Sequence, residues 1–197
     1  MTDAVDDLPQ ELQVTETEVV FRGRVWDVVR DTVDYPGASD GTIVREYVKH
    51  PGAVGIVAVD DRGRVPLIQQ YRHPIRHRDW EVPAGLLDVP DEDPLDAAQR
   101  ELAEEADLLA EHWQPLLSIF PTPGGNDEVI QLFLAQGLTA ADGEFAREDE
   151  EADIRIEWVQ LGAVVDGIIA GRIHNGPLIA GVFAAIEVLR RQGRSGG

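Results

Sequence analysis

Glu101, Glu104 and Glu105 stand within five consecutive positions, behind a segment that begins as a helix begins. Residues three and four apart on a helix are neighbours, so these carboxylates crowd one another and cost a bare helix roughly 0.2–0.5 kcal/mol per like-charged pair. Arg100 reaches Glu104 across one turn but does not alone neutralise three carboxylates. A hard divalent cation held through oxygen ligands would, and that points to metal-assisted chemistry. The alternative is a solvated acidic helix face, the ordinary fate of a charge run. An EF-hand calcium loop is excluded. Asp91 and Asp93 begin such a pattern, but Leu95 and Asp96 stand where the next oxygen ligand and the turn glycine belong.

Two further clusters carry charge. Arg72-His73-Pro74-Ile75-Arg76-His77-Arg78 gathers three arginines and two histidines within a chain of net charge −20. Arginine forks match phosphate oxygens, so an anion site is one reading; pairing with the protein's own carboxylates is the other. Glu148, Asp149, Glu150, Glu151 and Asp153 form an acidic stretch ahead of a strand-like run. The acidic balance, with a pI of about 4.4, argues against nucleic acid or an anionic membrane surface as a partner. There is no cysteine, hence no disulfide or thiol chemistry. No signal-like or membrane-spanning apolar run is present, which reads as a cytoplasmic protein.

The elements that must position these residues follow from pattern. Asp93 is a natural N-cap, Pro94 suits the first helical position, and Leu95, Ala98, Leu102 and Ala106 make one apolar stripe. The loop Glu81-Val-Pro-Ala-Gly85 precedes that helix. Upstream, Val14–Val20 and Val25–Arg30 alternate as strands around an Arg22-Gly23 turn, Tyr35–Gly41 is a hairpin loop, and Thr42–His50 is another strand. Ala53–Val59 is nearly all apolar and predicts a buried central strand, with Val65–Tyr71 expected to pair with it. Leu116–Phe120, Val129–Ala135 and Ile154–Val159 read as strands. Leu161–Ala170 and Pro177–Arg190 read as helices, the latter presenting Ile179, Val182, Phe183, Ile186 and Leu189. Strands interleaved with helices give the α/β (α+β) class.

Gly85, Glu92, Arg100-Glu101-Leu102-Ala103-Glu104-Glu105 and Leu108 together resemble the Nudix box: a glycine, a glutamate, then Arg-Glu-apolar-x-Glu-Glu-x-Gly-apolar. Two positions depart from it. One extra residue separates Gly85 from Glu92, and Asp107 replaces the final glycine. That glycine ends the helix in a left-handed conformation, which Asp tolerates better than most residues. Beyond the box, Arg45-Glu46, Gln70-Tyr71-Arg72, Glu150-Glu151-Ala152-Asp153, and Gly171 to Ala180 resemble the ADP-ribose pyrophosphatase branch. So does Pro123, sixteen residues past Asp107.

The resemblance implies a Nudix α/β/α sandwich with an additional N-terminal antiparallel sheet. Its expected divisions are a disordered tail at 1–11, a sheet at 12–50 used in a homodimer, a catalytic domain at 51–192 and a flexible tail at 193–197. It implies hydrolysis of ADP-ribose to AMP and ribose 5-phosphate with Mg²⁺ or Mn²⁺, two or three ions per site. Alternatives are a GDP- or UDP-sugar substrate, or a nucleotide-binding regulator without turnover. Carried over by position, Glu101 and Glu105 are metal ligands, with Glu104 close by and the Ala84 carbonyl completing the shell. Glu92 and Arg100 brace the loop and helix, Arg45 and Arg72 hold phosphates, and Glu81 is a lesser substrate candidate. Arg24 or Trp26 stacks on adenine. With the box carboxylates committed to metal, Glu150 is the expected general base, Glu151 the next choice, and Glu104 the fallback.

Overall fold

The computed structural model describes residues 5–141 and 154–193. The acidic stretch with Glu150 and Glu151 lies outside the described residues. The chain divides into two compact units, one running to His50 and taking in Thr122–Asp127, the other made of the remainder.

The first unit is one antiparallel sheet in the order β1 (Val14–Arg22), β2 (Asp27–Asp34), β3 (Thr42–Lys49). Valine and threonine dominate these strands, as pleated half-buried surfaces favour. The first turn closes through the Gly23 N–H donating to the Trp26 carbonyl at 3.0 Å. A Cβ at Gly23 would lie 2.2 Å from that oxygen, so glycine is required there. Glu18, Arg30 and Glu46 form a cross-strand row, with Arg30 donating to both carboxylates. The segment Thr122–Asp127 joins this sheet. Asn126 bridges Val48 in parallel, and Asp127 accepts from the His50 N–H at 2.7 Å and pairs with Lys49.

The second unit holds β4 (Ala53–Ala58), β5 (Arg64–Arg72), β6 (His77–Glu81), β7 (Ala84–Leu86), α1 (Pro94–Ala106), β8 (Leu108–Ile119), β9 (Ile130–Ala140), β10 (Arg155–Gln160), α2 (Leu161–Ile169) and α3 (Gly176–Arg191). Every residue of β4 is buried, as its apolar run predicts. It sits inside a four-stranded mixed sheet, β7-β4-β9-β8, parallel to β9. Side chains alternate along a strand, and here both faces are covered. Val54, Ile56 and Ala58 pack on Ala97, Ala98, Leu102 and Ala106 of α1. Val57 and Val59 pack with Leu161 and Val164 of α2 and Leu178, Val182, Ala185 and Leu189 of α3. This is an α/β/α layering. Among the described residues no helix is long and apolar enough to cross a membrane.

Three sequence expectations are corrected. First, β5 does not pair with β4; it lies between β10 and β6 in a separate antiparallel sheet. Both flanks of β4 are taken by β7 and β9. The Asp60 carboxylate accepts from the Arg62 and Arg64 N–H groups and the Arg64 guanidinium, which turns the chain out of one sheet into the next. Second, β8 begins at Leu108, directly after the helix, rather than at Leu116. Its first half, Leu108 to Trp113, is only partly buried, and exposed Glu111 and His112 interrupt its apolar residues. Third, α3 buries Leu178, Gly181, Val182, Ala185 and Leu189, while Phe183 is exposed. A Cβ at Gly181 would stand 2.7 Å from Val57 Cγ2. The helix approaches through its small residues, and weighing only large side chains misplaces its inner face.

Candidate active site

The box residues meet where β7 and the loop after it cross α1. The helix starts as its sequence dictates: the Asp93 side chain accepts from the Leu95 N–H at 2.8 Å, and Pro94 occupies the first turn. It ends at Asp107 in the left-handed region, φ 55° and ψ 37°, with the Asp107 N–H donating back to Ala103 and Leu102. Aspartate therefore fills the place of the usual glycine.

Each glutamate of the trio has a different setting. Glu105 is buried, and its Oε2 accepts from the Ala84 N–H at 2.8 Å, fastening the last helical turn to β7. Glu101 lies against the loop glycine: a Cβ at Gly85 would stand 2.0 Å from Glu101 Cδ and Oε1. Only glycine lets that carboxylate occupy its place. Glu104 is the exposed member, at 42 % of its side chain.

Arg100 ties these groups together. Its Nε and Nη2 fork onto Glu92 at 3.1 and 3.0 Å, and its Nη1 donates to Glu101 at 2.6 Å and Glu104 at 3.2 Å. The hydrogen bonds that Arg100 donates to Glu92 raise its pKa further above the ordinary value, and Glu101 adds to the effect. Conversely, Arg100 holds the Glu92 carboxyl below the usual glutamate range. Glu92 and Arg100 thus brace loop to helix, and the extra residue in the loop does not prevent it.

The NUDIX domain profile matches residues 49–180, more than half of the chain. The chain belongs to the NUDIX family. It is 41% identical over 178 residues to an ADP-ribose pyrophosphatase of Mycobacterium tuberculosis, covering 90% of this chain and 84% of that one. It is 34% identical over 172 residues to a methanol dehydrogenase activator of Bacillus methanolicus, covering 87% and 91%. A crystal structure of an ADP compounds hydrolase superposes with a TM-score of 0.77 at 23% identity, covering 96% of this chain and all of that one, which shows a shared fold.

NUDIX enzymes generally require a divalent metal. The donor chemistry here fits one: three carboxylates on one helix next to a backbone loop offer the oxygen ligands that hard cations take. Among the described residues, no three acidic or histidine side chains close around a common point. Arg100 Nη1 donates to both Glu101 and Glu104, while Glu105 is tied to the Ala84 N–H.

The remaining candidates fall into two places. In the second unit, Arg72 donates from Nε and Nη2 to the two oxygens of Glu81, both at 2.7 Å. Of the basic cluster at 72–78, this arginine grips one of the protein's own carboxylates. That pairing spans nine residues and two strands, and pattern alone did not reveal it. In the first unit, Arg45, Glu46 and Tyr47 line a cleft of about 330 Å³ together with Pro123, Asn126 and Asp127. Trp26 stacks on His50 with centroids 4.3 Å apart and an interplanar angle of 18°. Arg24 is exposed.

Proposed function

We propose that the protein hydrolyses the pyrophosphate of ADP-ribose to AMP and ribose 5-phosphate, in the cytoplasm, with Mg²⁺ or Mn²⁺. The observation that carries this reading is the 41% identity to an ADP-ribose pyrophosphatase over 90% of the chain. The local geometry of Gly85, Arg100, Glu101 and Glu105 supports it.

Glu101, Glu104, Glu105 and the Ala84 carbonyl would hold two or three ions. When bound, they screen the pyrophosphate charge and lower the pKa of a bound water. The chain's own residues do the rest. Arg100 holds Glu101 and Glu104 in place. Arg72 and Arg45 bind phosphate oxygens through their guanidinium forks. Glu81 orients Arg72 until substrate arrives. Arg24 or Trp26 covers the adenine by stacking. Glu150 accepts a proton from the attacking water, with Glu151 as its alternate and Glu104 as the fallback.

The working form is a homodimer. Val14, Val19, Phe21, Val25 and Val44 are exposed on or beside the N-terminal sheet, and a three-stranded sheet has little core of its own. A fully active species near the monomer mass of 21.7 kDa in light scattering would refute this.

A panel of ADP-, GDP- and UDP-sugars with Mg²⁺, scored for nucleoside monophosphate release, tests the activity. ADP-ribose should be the preferred substrate, and chelation should abolish turnover. Release from none of them removes the enzymatic reading. It would leave the second reading, a nucleotide-binding regulator, which the relation to the methanol dehydrogenase activator favours.

A further inference from the structure

Side chains alternate along a strand, so Ile68, Gln70 and Arg72 share one face of β5. Glu81 and Asp79 of β6 share that face, opposite Ile68 and Gln70 respectively. Gln70 is 5 % exposed, and its side-chain amide makes no hydrogen bond to any described residue. Asp79, directly across from it, is engaged elsewhere, accepting from Asn175 Nδ2 at 3.1 Å. Native interiors keep few buried amides unpaired, because each loses its water without replacement.

The neighbouring ion pair gives this amide a purpose. Arg72 grips Glu81, and Glu81 lies opposite Ile68, four residues back along β5. Four residues of strand span about 13 Å, so the Arg72 side chain must run back over Gln70 to close the fork. The Glu81 side chain is 7% exposed and that of Arg72 is 43%. The guanidinium is therefore the member of the pair that a ligand can draw away. A carboxylate as buried as Glu81 is strongly destabilised if its partner leaves and nothing takes its place.

We propose that Gln70 is a positioning residue that takes over Glu81 when Arg72 turns to a phosphate of the substrate. This rests on the pyrophosphate reading above. As the guanidinium lifts, the Gln70 Nε2–H donates to the Glu81 carboxylate, which lies diagonally across the strand pair and within a long side chain's reach. No bond breaks and no proton changes owner; one donor replaces another. The resting enzyme keeps an idle amide, and the bound enzyme keeps no unpaired buried charge.

The test is Gln70→Leu, similar in volume and without hydrogen-bonding atoms, with Gln70→Met as an unbranched second variant. ADP-ribose affinity is measured by calorimetry on enzyme in chelator, alongside kcat and KM in Mg²⁺ and thermal melting. The expected result is an unchanged or higher Tm, Kd and KM raised about tenfold or more, and kcat within about twofold. In a Glu81→Gln background the same substitution should change Kd by less than about twofold, because no buried charge remains to be tended. A lower Tm with unchanged Kd in both variants means that Gln70 only fills space, and overturns the proposal. A Kd effect undiminished in Glu81→Gln also overturns it. Wild-type enzyme that neither binds nor hydrolyses ADP-ribose defeats the functional reading and this proposal with it. Active wild type with indistinguishable Gln70 variants defeats the exchange alone.

Discussion

Gly85→Ala adds one methyl group at the point where the loop meets Glu101. That carbon would stand 2.0 Å from Glu101 Cδ and Oε1 and 2.5 Å from Cγ. To move from 2.0 Å to the 3.4 Å at which ordinary contact begins, the carboxylate must shift by about 1.4 Å. It is the far end of a flexible side chain, so the backbone need not move. What is lost is the 2.6 Å bond to Arg100 Nη1, while Arg100 stays forked onto Glu92. The stability cost should be about 1–2 kcal/mol, a fall in Tm of about 2–8 °C. The catalytic cost should be far larger, because a misplacement of about 1 Å in a positioned group costs on the order of 10²-fold in rate. Initial rates of ADP-ribose hydrolysis at saturating Mg²⁺, with melting curves on the same samples, separate the two. Folded Gly85→Ala protein with kcat within about threefold of wild type would show that this contact does not set the position of Glu101.

Three other outcomes are expected. Glu105→Gln should lower kcat by several powers of ten while circular dichroism stays native, since the amide oxygen can still accept from Ala84; near wild-type turnover in Mg²⁺ would remove Glu105 from the metal site. Arg100 holds the Glu92 carboxyl below its ordinary value of 4.5, so this pair contributes stability above that pH and loses it as pH falls through the lower folded value. Wild type should therefore lose stability more steeply below about pH 4.5 than Glu92→Gln in urea titrations, and equal slopes would contradict the linkage. At the helix end, Asp107→Gly should be neutral or slightly stabilising and Asp107→Val should cost about 1–2 kcal/mol, because φ is 55° there; a Val variant that melts with wild type would refute the left-handed cap.

Much of the site was legible because its signals are local. Asp93 and Pro94 mark a helix start by their own chemistry, and the structure uses both. Asp107 was readable as a tolerated left-handed cap for the same reason. The run at Ala53–Val59 announced a strand buried on both faces. What failed was pairing. The Asp60 turn between two apolar strands has the look of a hairpin, yet its side-chain bonds send β5 into another sheet. The fork of Arg72 on Glu81 and the isolation of Gln70 depend on strand register, which composition does not encode. The start of β8 at Leu108-Leu109-Ala110 is cut off from the later apolar pair Leu116-Leu117 by exposed Glu111 and His112.

The hexapeptide Thr122–Asp127 bears on how the polypeptide matures. Strands β1 to β3 leave the ribosome before Asp127, the acceptor of Lys49 and the His50 amide, which follows 78 and 77 residues later. Closing so long a loop carries an entropic cost that grows only slowly with length, so the delay is kinetic more than thermodynamic. Until that aspartate emerges, the trailing edge of β3 offers unsatisfied donors and acceptors, the kind of exposed margin on which nascent chains misassociate. The three-stranded sheet is thus unfinished as a separate fragment, and a truncation that removed Asp127 would damage strands that lie more than seventy residues before it.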